Sequence, residues 1–203
     1  MTTYALIPAA GKSTRMGRPK LALPLRGRTI LELVVETIRR AGVEHVLVVV
    51  GPHVPELKPL AERARAQVLL LAEETSDMRA TIERGLAWLE ERFHPRPEDH
   101  WLLVPADHPT LHEAVIPRLV AAREESPSRS IVVPTFQGKR GHPVLIDWAH
   151  VARLRAFPVG AGVNAYLRER ASETVEVPVN TATVLCDLDE PRDYEKLMAE
   201  SGE

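Results

Sequence analysis

The sequence predicts an α/β protein with a mostly parallel sheet that is covered by helices on both faces. Short apolar runs rich in Val, Ile and Leu recur along the 203 residues and alternate with amphipathic helical patterns. Continuous apolar strands are typical of parallel sheets, because the crossover helices bury both faces. No linker rich in Pro, Gly or Ser divides the chain, so we expect one domain.

The first two-thirds of the chain predicts strictly alternating strands and helices. In the helix expected at Ile30–Ala41, the residues Leu31, Val34 and Ile38 recur at the spacing of one helical face. Ligands should gather at the carboxyl ends of the strands. The other predicted helices are Val54–Arg65, Met78–Arg92 and Leu111–Glu125, and the predicted strands are Thr3–Ile7, His45–Val50, Gln67–Leu71, Trp101–Val104 and Ser130–Pro134.

The pattern becomes less regular after residue 134. The segment Thr135–His142 is polar and contains glycine, and Pro191 suits the first turn of a final helix at Pro191–Glu200. Between them we expect strands at Pro143–Ile146, Glu173–Val177 and Thr183–Asp187, and helices at Trp148–Arg155 and Gly162–Arg170.

Composition and charge exclude several classes of protein. A formal net charge of −2 argues against general nucleic-acid binding, which normally needs a strongly positive surface. The single cysteine, Cys186, cannot form an internal disulfide and suits a reducing compartment. No signal-peptide pattern is present, and no apolar run approaches the ~18 residues typical of a membrane span. We therefore expect a soluble, cytoplasmic protein without nucleic-acid or membrane partners.

The segment Leu6–Lys20 (LIPAAGKSTRMGRPK) follows the first predicted strand and combines small residues, hydroxyls and cations. A strand that opens into such a loop offers backbone amides and positive charge to phosphates, although a plain basic surface loop has the same composition. The loop is not a Walker A motif, because Leu6 stands where that motif requires glycine. The dinucleotide fingerprint also fails, since only Gly11 and Gly17 are present.

Two acidic segments are candidate metal ligands. Asp107 directly follows a predicted strand, and a carboxylate there could coordinate Mg²⁺ or merely cap the next helix. Asp187 lies in the segment DLDEP before the last helix, where acids also stabilise the helix N-terminus.

Zinc and nucleophilic serine chemistry are poorly supported. His100, His108 and His112 lie near one another in the sequence, but the motif H-E-x-x-H is absent and Cys186 is alone. Ser13 and Ser76 lack the G-x-S-x-G setting of a nucleophile elbow.

Two further loops carry polar groups. The segment Gly138–Pro143 (GKRGHP) presents two cations and an imidazole, or forms a solvated hairpin turn. The junction Thr75–Gly85 offers Ser76, Asp77, Arg79 and Thr81 at the carboxyl edge of the sheet, where Ser76 would cap the following helix.

The order of these motifs is more specific than each motif alone. The pattern A-A-G-x-S-x-R-M-G-x-P-K, with a later acid followed by x-P, resembles the nucleotidyltransferase superfamily that attaches NMP to phosphorylated acceptors. Gly138–Pro143 and Asp187–Asp193 (D-x-D-x-P-x-D) resemble the molybdenum-cofactor cytidylyltransferases (MocA-like) of the MobA-like NTP transferase family. This resemblance implies a three-layer α/β/α Rossmann-like sandwich of the nucleotide-diphospho-sugar-transferase type. It places an NTP-binding part at about 1–110 and an acceptor-binding part at about 111–203.

The resemblance also implies roles for individual residues. Arg15, Lys20 and Asp107 would be catalytic, with Mg²⁺ held by Asp107 and Asp187. The Ala-Ala-Gly form is similar to CTP-using members. The nucleotide-binding residues would be Ala9, Ala10, Gly11, Ser13, Arg15, Lys20, Ser76 and Thr81, and the acceptor-binding residues Arg140, Gly141, His142 and Pro143.

The implied reaction moves CMP from CTP to molybdopterin and releases pyrophosphate, with a molybdoenzyme or its chaperone as receiving partner. The chain departs from the family pattern at Gly160–Ala165, where relatives carry Gly-Asp-x-Gly-Ala-Arg, and at Thr75–Thr81, which lacks Gly-x-x-x-Ser. A sugar or polyol phosphate acceptor, or a non-catalytic carrier of nucleotide or molybdenum cofactor, therefore stays open.

Overall fold

The structure of the protein is a computed structural model. It describes residues 1–13, 16–17 and 19–201, and at residue 201 it describes the backbone only. The strands are β1 (Thr3–Ala9), β2 (Pro24–Leu25), β3 (Arg28–Thr29), β4 (His45–Val50), β5 (Gln67–Leu70), β6 (His100–Leu103), β7 (Ile131–Phe136), β8 (Lys139–Arg140), β9 (Val144–Asp147) and β10 (Thr174–Pro178). The α-helices are α1 (Ile30–Arg40), α2 (Leu57–Arg63), α3 (Met78–Phe93), α4 (Val115–Glu125), α5 (His150–Arg155), α6 (Val163–Arg168) and α7 (Pro191–Ser201).

Eight strands form one mixed sheet in the order β10–β7–β9–β6–β1–β4–β5, with β8 beside β7. Strands β1, β4, β5 and β6 are parallel to one another, and β7 and β10 are parallel to each other. Strand β9 pairs antiparallel with both β6 and β7, so it reverses direction between two groups that point the same way. The mostly parallel sheet predicted from the sequence is confirmed.

Two hydrophobic cores lie on opposite faces of this sheet. Along β1, Ala5 and Ile7 enter the core that is covered by α1, α2 and α4, whereas Tyr4 and Leu6 enter the core covered by α3, α5 and α6. The alternation follows from the period of two along a strand. Helices on both faces confirm the three-layer α/β/α arrangement.

Local hydrogen bonds fix where two of the helices begin. Thr29 and Glu32 form a capping box at the start of α1, in which each residue's side chain accepts a hydrogen bond from the other's backbone. At the start of α3, the Asp77 carboxylate accepts from the Ala80 amide at 2.8 Å. The prediction that Ser76 caps this helix is wrong, because the cap lies one residue later and Ser76 is exposed.

The predicted strand at Thr183–Asp187 is also wrong. Residues Ala182–Leu185 form a 3₁₀ helix that begins where the Thr181 hydroxyl accepts from the Thr183 amide at 3.3 Å. Val184 is buried, and its carbonyl accepts from the His142 amide at 2.8 Å. The apolar pattern of this segment resembles that of a strand, but it is explained by the burial of Val184 against the loop of His142 and not by pairing with another strand.

Five helices are shorter than their sequence patterns predict, α2, α4 and α6 by three residues or more and α1 and α5 by one or two. Helix α2 begins at Leu57 and α4 at Val115, each after a turn closed by a backbone hydrogen bond. Helix α6 ends at Arg168, and a 3₁₀ turn at Ala171–Glu173 follows it. Within the described residues, no helix combines the length and the apolar content that crossing a membrane requires.

Candidate active site

A cavity of about 550 Å³ opens at the carboxyl edge of the sheet. Since β1 and β6 are parallel neighbours, the loops that follow them meet at this edge and contribute Gly11, Ser13 and Asp107 to the cavity wall. The rest of the polar cavity wall comes from three places: the start of α3, the residues before and at the start of α6, and Asp189.

The ammonium of Lys20 lies at the centre of the polar side of the cavity. Its Nζ is 2.6 Å from Asp107 Oδ2, 2.7 Å from the carbonyl oxygen of Leu188 and 3.2 Å from Asp189 Oδ1. The side chain is only 15% exposed, so solvent screens these contacts less than it would screen a surface pair. Lys20 thus joins the loop after β1 to the loop after β6 and to the segment before α7.

Backbone hydrogen bonds hold the acidic segment in place. The Leu188 amide donates to the carbonyl oxygen of Asp107 at 3.0 Å. The Asp193 carboxylate accepts from the amides of Asp189 and Glu190 at 3.1 and 2.8 Å, and these hydrogen bonds lower the pKa of Asp193. The last acid of the D-x-D-x-P-x-D pattern therefore stabilises the turn that brings Asp189 to Lys20.

His142 reaches the cavity from an interruption between β8 and β9. Thr135 of β7 pairs with Arg140 of β8, and Val132 of β7 pairs with Leu145 of β9. The stretch that joins β8 to β9 is therefore two residues longer than the stretch of β7 that it faces, and His142 lies in the resulting bulge. Burial lowers the pKa of His142 to about 4, which leaves the imidazole neutral near pH 7. At the cavity, His142 is therefore a neutral hydrogen-bonding group.

A second imidazole lies beside His142. The ring centroids of His108 and His142 are 5.8 Å apart in an edge-to-face arrangement. Burial also lowers the pKa of His108, although the neighbouring carboxylates of Asp107 and Asp187 oppose that shift.

The structure brings most of the predicted phosphate loop to the cavity. Ala9, Gly11, Ser13 and Lys20 line it, and Ala10 packs behind the loop against Gly51. The predicted residue Arg15 lies outside the described residues.

The predicted nucleotide residues of α3 are placed differently. Thr81 is buried, and its hydroxyl lies 2.6 Å from the Thr75 hydroxyl and 3.2 Å from the Asp77 carbonyl oxygen. Ser76 is exposed, and the cavity is lined instead by Asp77, Met78 and Arg79.

Of the four predicted acceptor residues, His142 is the one that lines the cavity. Gly141 is buried so closely against the Val184 carbonyl that an added Cβ would lie 2.4 Å from its oxygen, and Pro143 is also buried. Arg140 donates to Glu176 Oε1 on β10 at 2.7 Å.

Asp187, the predicted second metal ligand, is exposed, whereas Asp189 lines the cavity and contacts Lys20. Sequence reasoning missed Asp189, because the pattern Asp-x-Asp offers two acids and no signal that separates them. The apolar residue between them, Leu188, is fully buried and fixes which acid turns inwards.

The chemistry of the oxygens around Lys20 fits a hard cation. Two carboxylates and one carbonyl oxygen already converge on an ammonium, and oxygen ligands of this kind are those that Mg²⁺ takes. Within the described ranges, no group of three or more His, Cys, Asp or Glu side chains is arranged to hold a metal ion. A metal here would need further ligands, such as substrate phosphates and water.

Comparison with known proteins places this chain in a family. The family model for the MobA-like NTP transferase domain matches residues 5–175. Nicotine blue oxidoreductase of Paenarthrobacter nicotinovorans is 27% identical over 168 residues, which cover 80% of this chain and 79% of that protein. Several other curated relatives are bifunctional proteins, and the chain spans only 24% to 37% of their length.

Solved structures share the fold at low identity. Rv0371c of Mycobacterium tuberculosis H37Rv in complex with manganese superimposes with a TM-score of 0.78 at 23% identity, covering 98% of both chains. The 4-diphosphocytidyl-2C-methyl-D-erythritol synthase of Anaerococcus prevotii DSM 20548 gives a TM-score of 0.75 at 14% identity, covering 100% of this chain and 99% of that one. The match of the family model over most of the chain means that this protein belongs to the MobA-like NTP transferase family and is an enzyme of the nucleotidyltransferase class.

Proposed function

We propose that this nucleotidyltransferase moves CMP from CTP to the terminal phosphate of molybdopterin and releases pyrophosphate. The observation that carries this proposal is the contact of Lys20 with Asp107 and Asp189 in a cavity bordered by the Ala-Ala-Gly loop. We further propose that the protein is one cytoplasmic domain that passes its product to a molybdoenzyme or its chaperone.

The chemistry requires positioning and charge stabilisation rather than a covalent intermediate. An oxygen of the acceptor phosphate attacks the α-phosphorus of CTP in line. The bond that breaks joins the α-phosphorus to the oxygen that bridges the α- and β-phosphates. The bridging oxygen leaves with its electron pair as part of pyrophosphate. No general base is required, because the acceptor phosphate is already ionised.

The residues around the cavity divide this work. The amides near Gly11 and Ser13 would bind the β- and γ-phosphates, and Lys20 with Arg15 would neutralise the negative charge that grows on the departing pyrophosphate. Ala9, Ala10, Ser76 and Thr81 would shape the rest of the nucleotide site. Arg140, Gly141, His142 and Pro143 would form the acceptor side.

Asp107 would hold Mg²⁺ together with an acid of the segment DLDEP, either Asp187, as the resemblance implies, or Asp189, which lines the cavity and shares the contact with Lys20. The bound ion supplies positive charge to phosphate oxygens. The manganese complex of the structurally similar Rv0371c supports a divalent cation.

Two features support CTP and a phosphorylated acceptor. The Ala9–Ala10 pair matches the form found in CTP-using relatives, and the structurally similar protein of Anaerococcus prevotii is named as a diphosphocytidyl synthase. The alternative acceptors are a sugar phosphate and a polyol phosphate, and the alternative of another class is a non-catalytic carrier.

The decisive experiment measures pyrophosphate release. The purified protein is incubated with Mg²⁺ and each of CTP, GTP, ATP and UTP, together with molybdopterin, a sugar phosphate or a polyol phosphate. The proposal predicts release with CTP and molybdopterin, in a one-to-one ratio to the cytidylylated product detected by mass spectrometry. Release with another acceptor would overturn the molybdopterin assignment. Binding of CTP and molybdopterin without release would favour the carrier.

A further inference from the structure

Arg79 is a buried arginine that the proposed chemistry leaves without a role. It lies in the first turn of α3 and is 8% exposed. Each terminal nitrogen of its guanidinium donates to two backbone carbonyl oxygens. Nη1 donates to Pro158 at 2.7 Å and Ala161 at 3.1 Å, and Nη2 donates to Leu154 at 2.6 Å and Phe157 at 2.9 Å.

The remaining donor and the charge are also satisfied. Nε donates to Glu83 Oε1 at 2.7 Å, one turn further along α3. Leu154 lies in the last turn of α5 and Phe157 follows the C-terminal end of that helix, and carbonyl groups at such an end carry partial negative charge. A buried cation is tolerated here because every donor has an acceptor and a carboxylate is adjacent.

These contacts join two walls of the cavity. Beside Arg79 on α3, Asp77 and Met78 line one wall. The segment held by the guanidinium contains Gly160 and continues to Asn164, and both of these residues line another wall.

The segment 156–162 has little packing of its own. Phe157 is buried, but Val159 is fully exposed, and Gly160 has a positive φ of 82°. A segment with so few buried apolar contacts depends on its hydrogen bonds for order. Arg79 supplies three of them, to the carbonyl oxygens of Phe157, Pro158 and Ala161, and a fourth hydrogen bond from Arg79 reaches Leu154 in α5.

The wall at 157–164 belongs to the part of the chain, at about 111–203, that the proposed function assigns to the acceptor. We propose that Arg79 is a positioning residue for the acceptor, which fixes this wall so that Asn164 and the neighbouring backbone meet that substrate. This inference rests on the proposed function for its kinetic effect. A lysine cannot replace the guanidinium, because a single ammonium has three donors and lacks the planar fork that reaches four carbonyls.

The test compares Arg79→Ala and Arg79→Lys with Arg84→Ala, a matched change at an exposed arginine of the same helix. Both Arg79 variants should raise KM for molybdopterin by at least about tenfold while KM for CTP changes by less than about twofold. Guanidinium chloride at a non-denaturing millimolar concentration should partly restore the acceptor KM of Arg79→Ala, whereas equal ionic strength from KCl should not. Arg84→Ala should match the wild type.

Hydrogen exchange at the amides of 156–162 tests the same inference without turnover. We expect faster exchange there in both Arg79 variants and unchanged exchange in the β1 and β4 strands. Exchange that stays at the wild-type rate, or equal losses for CTP and acceptor, would overturn the positioning role. If no nucleotide and acceptor pair gives pyrophosphate, the proposed function fails, while the exchange result still decides whether Arg79 orders this wall.

Discussion

Lys20 makes the most informative set of contacts of any single residue in the site. Its ammonium has three oxygen neighbours, two of which come from positions 168 and 169 residues away in the sequence. Such a group can balance the two carboxylates in the free protein and turn towards phosphate when nucleotide binds. The position of Lys20 therefore favours a role in the transition state over a purely structural one.

Replacing Lys20 tests this role. Lys20→Ala should lower the rate of pyrophosphate release by at least ~10²-fold, because the charge that develops on the leaving group loses a nearby, partly buried cation. Lys12→Ala is the matched control, since Lys12 lies in the same loop as Lys20 but is exposed and forms an ion pair with Glu74. A loss of only a few-fold in Lys20→Ala, equal to that in Lys12→Ala, would reduce Lys20 to a surface cation.

His150 makes the stability of the fold depend on pH. Its ring is 1% exposed and lies between the Tyr166 and Ser130 hydroxyls, at 2.7 Å from each. Burial, and secondarily the charge of Arg153, lowers the pKa of His150 from 6.5 to about 4. Between these values the unfolded state binds more protons than the folded state, so the stabilisation is complete above pH 6.5 and is lost as the pH falls towards 4.

The corresponding measurement is urea unfolding of the wild type and His150→Gln at pH 7 and pH 4.5. The wild type should lose about 2 to 3 kcal/mol more of its free energy of unfolding than the variant over this interval. The contribution of the other titrating groups cancels in this difference. An equal loss in both proteins would show that His150 does not carry the pH dependence.

At the scale of elements, α3 approaches the sheet through a glycine. A Cβ on Gly85 would lie 2.3 Å from Leu6 Cδ1 and 2.8 Å from Val49 Cγ2, and both of those side chains are fully buried. Helix α3 can therefore lie this close to β1 and β4 only without a side chain at this position. Because α3 also carries Asp77 and Arg79, the contact sets the distance of one cavity wall from the sheet.

Gly85→Ala should destabilise the protein although alanine is the better helix former. The gain of about 1 kcal/mol in helix propensity is outweighed by overpacking of roughly 1 to 3 kcal/mol against a rigid core, so we expect a net loss and a lower Tm. Arg84→Ala changes the exposed neighbouring position and should leave Tm nearly unchanged or slightly higher. An increase in Tm for Gly85→Ala would contradict the close contact.

Elements with a local physical signal could be predicted from the sequence. The spacing of Thr29 and Glu32 is that of a capping box and indicates the start of α1, and the continuous apolar strands indicate a buried parallel sheet. The strand predicted at Thr183–Asp187 was wrong because its apolar residues are buried by a tertiary contact of Val184 that no local period reveals. The choice between Ser76 and Asp77 as helix cap is equally invisible in a sequence that offers both.

At the scale of the whole molecule, parallel topology explains how much of the site was predictable. The sequence places both Asp107 and the loop after β1 directly after strands of a predicted parallel sheet, whose carboxyl ends share one edge, and the two do meet at Lys20. The contact of Asp189 with Lys20 and the four carbonyl acceptors of Arg79 were not predictable. They depend on how the segments before α7 and after α5 fold back onto the sheet edge. Contacts across more than 70 residues decide these positions.

The central claim is that the cavity around Lys20 and Asp107 catalyses nucleotidyl transfer. Its most direct measurement is Mg²⁺-dependent pyrophosphate release from CTP and molybdopterin by the wild type and by Asp107→Ala, with Tm measured for both proteins. We predict release by the wild type and a loss of at least ~10²-fold in the variant at an essentially unchanged fold, because the divalent cation that Asp107 would hold loses a ligand. Full activity in Asp107→Ala would contradict the metal site, and no release by the wild type with any nucleotide and acceptor pair would contradict the function itself.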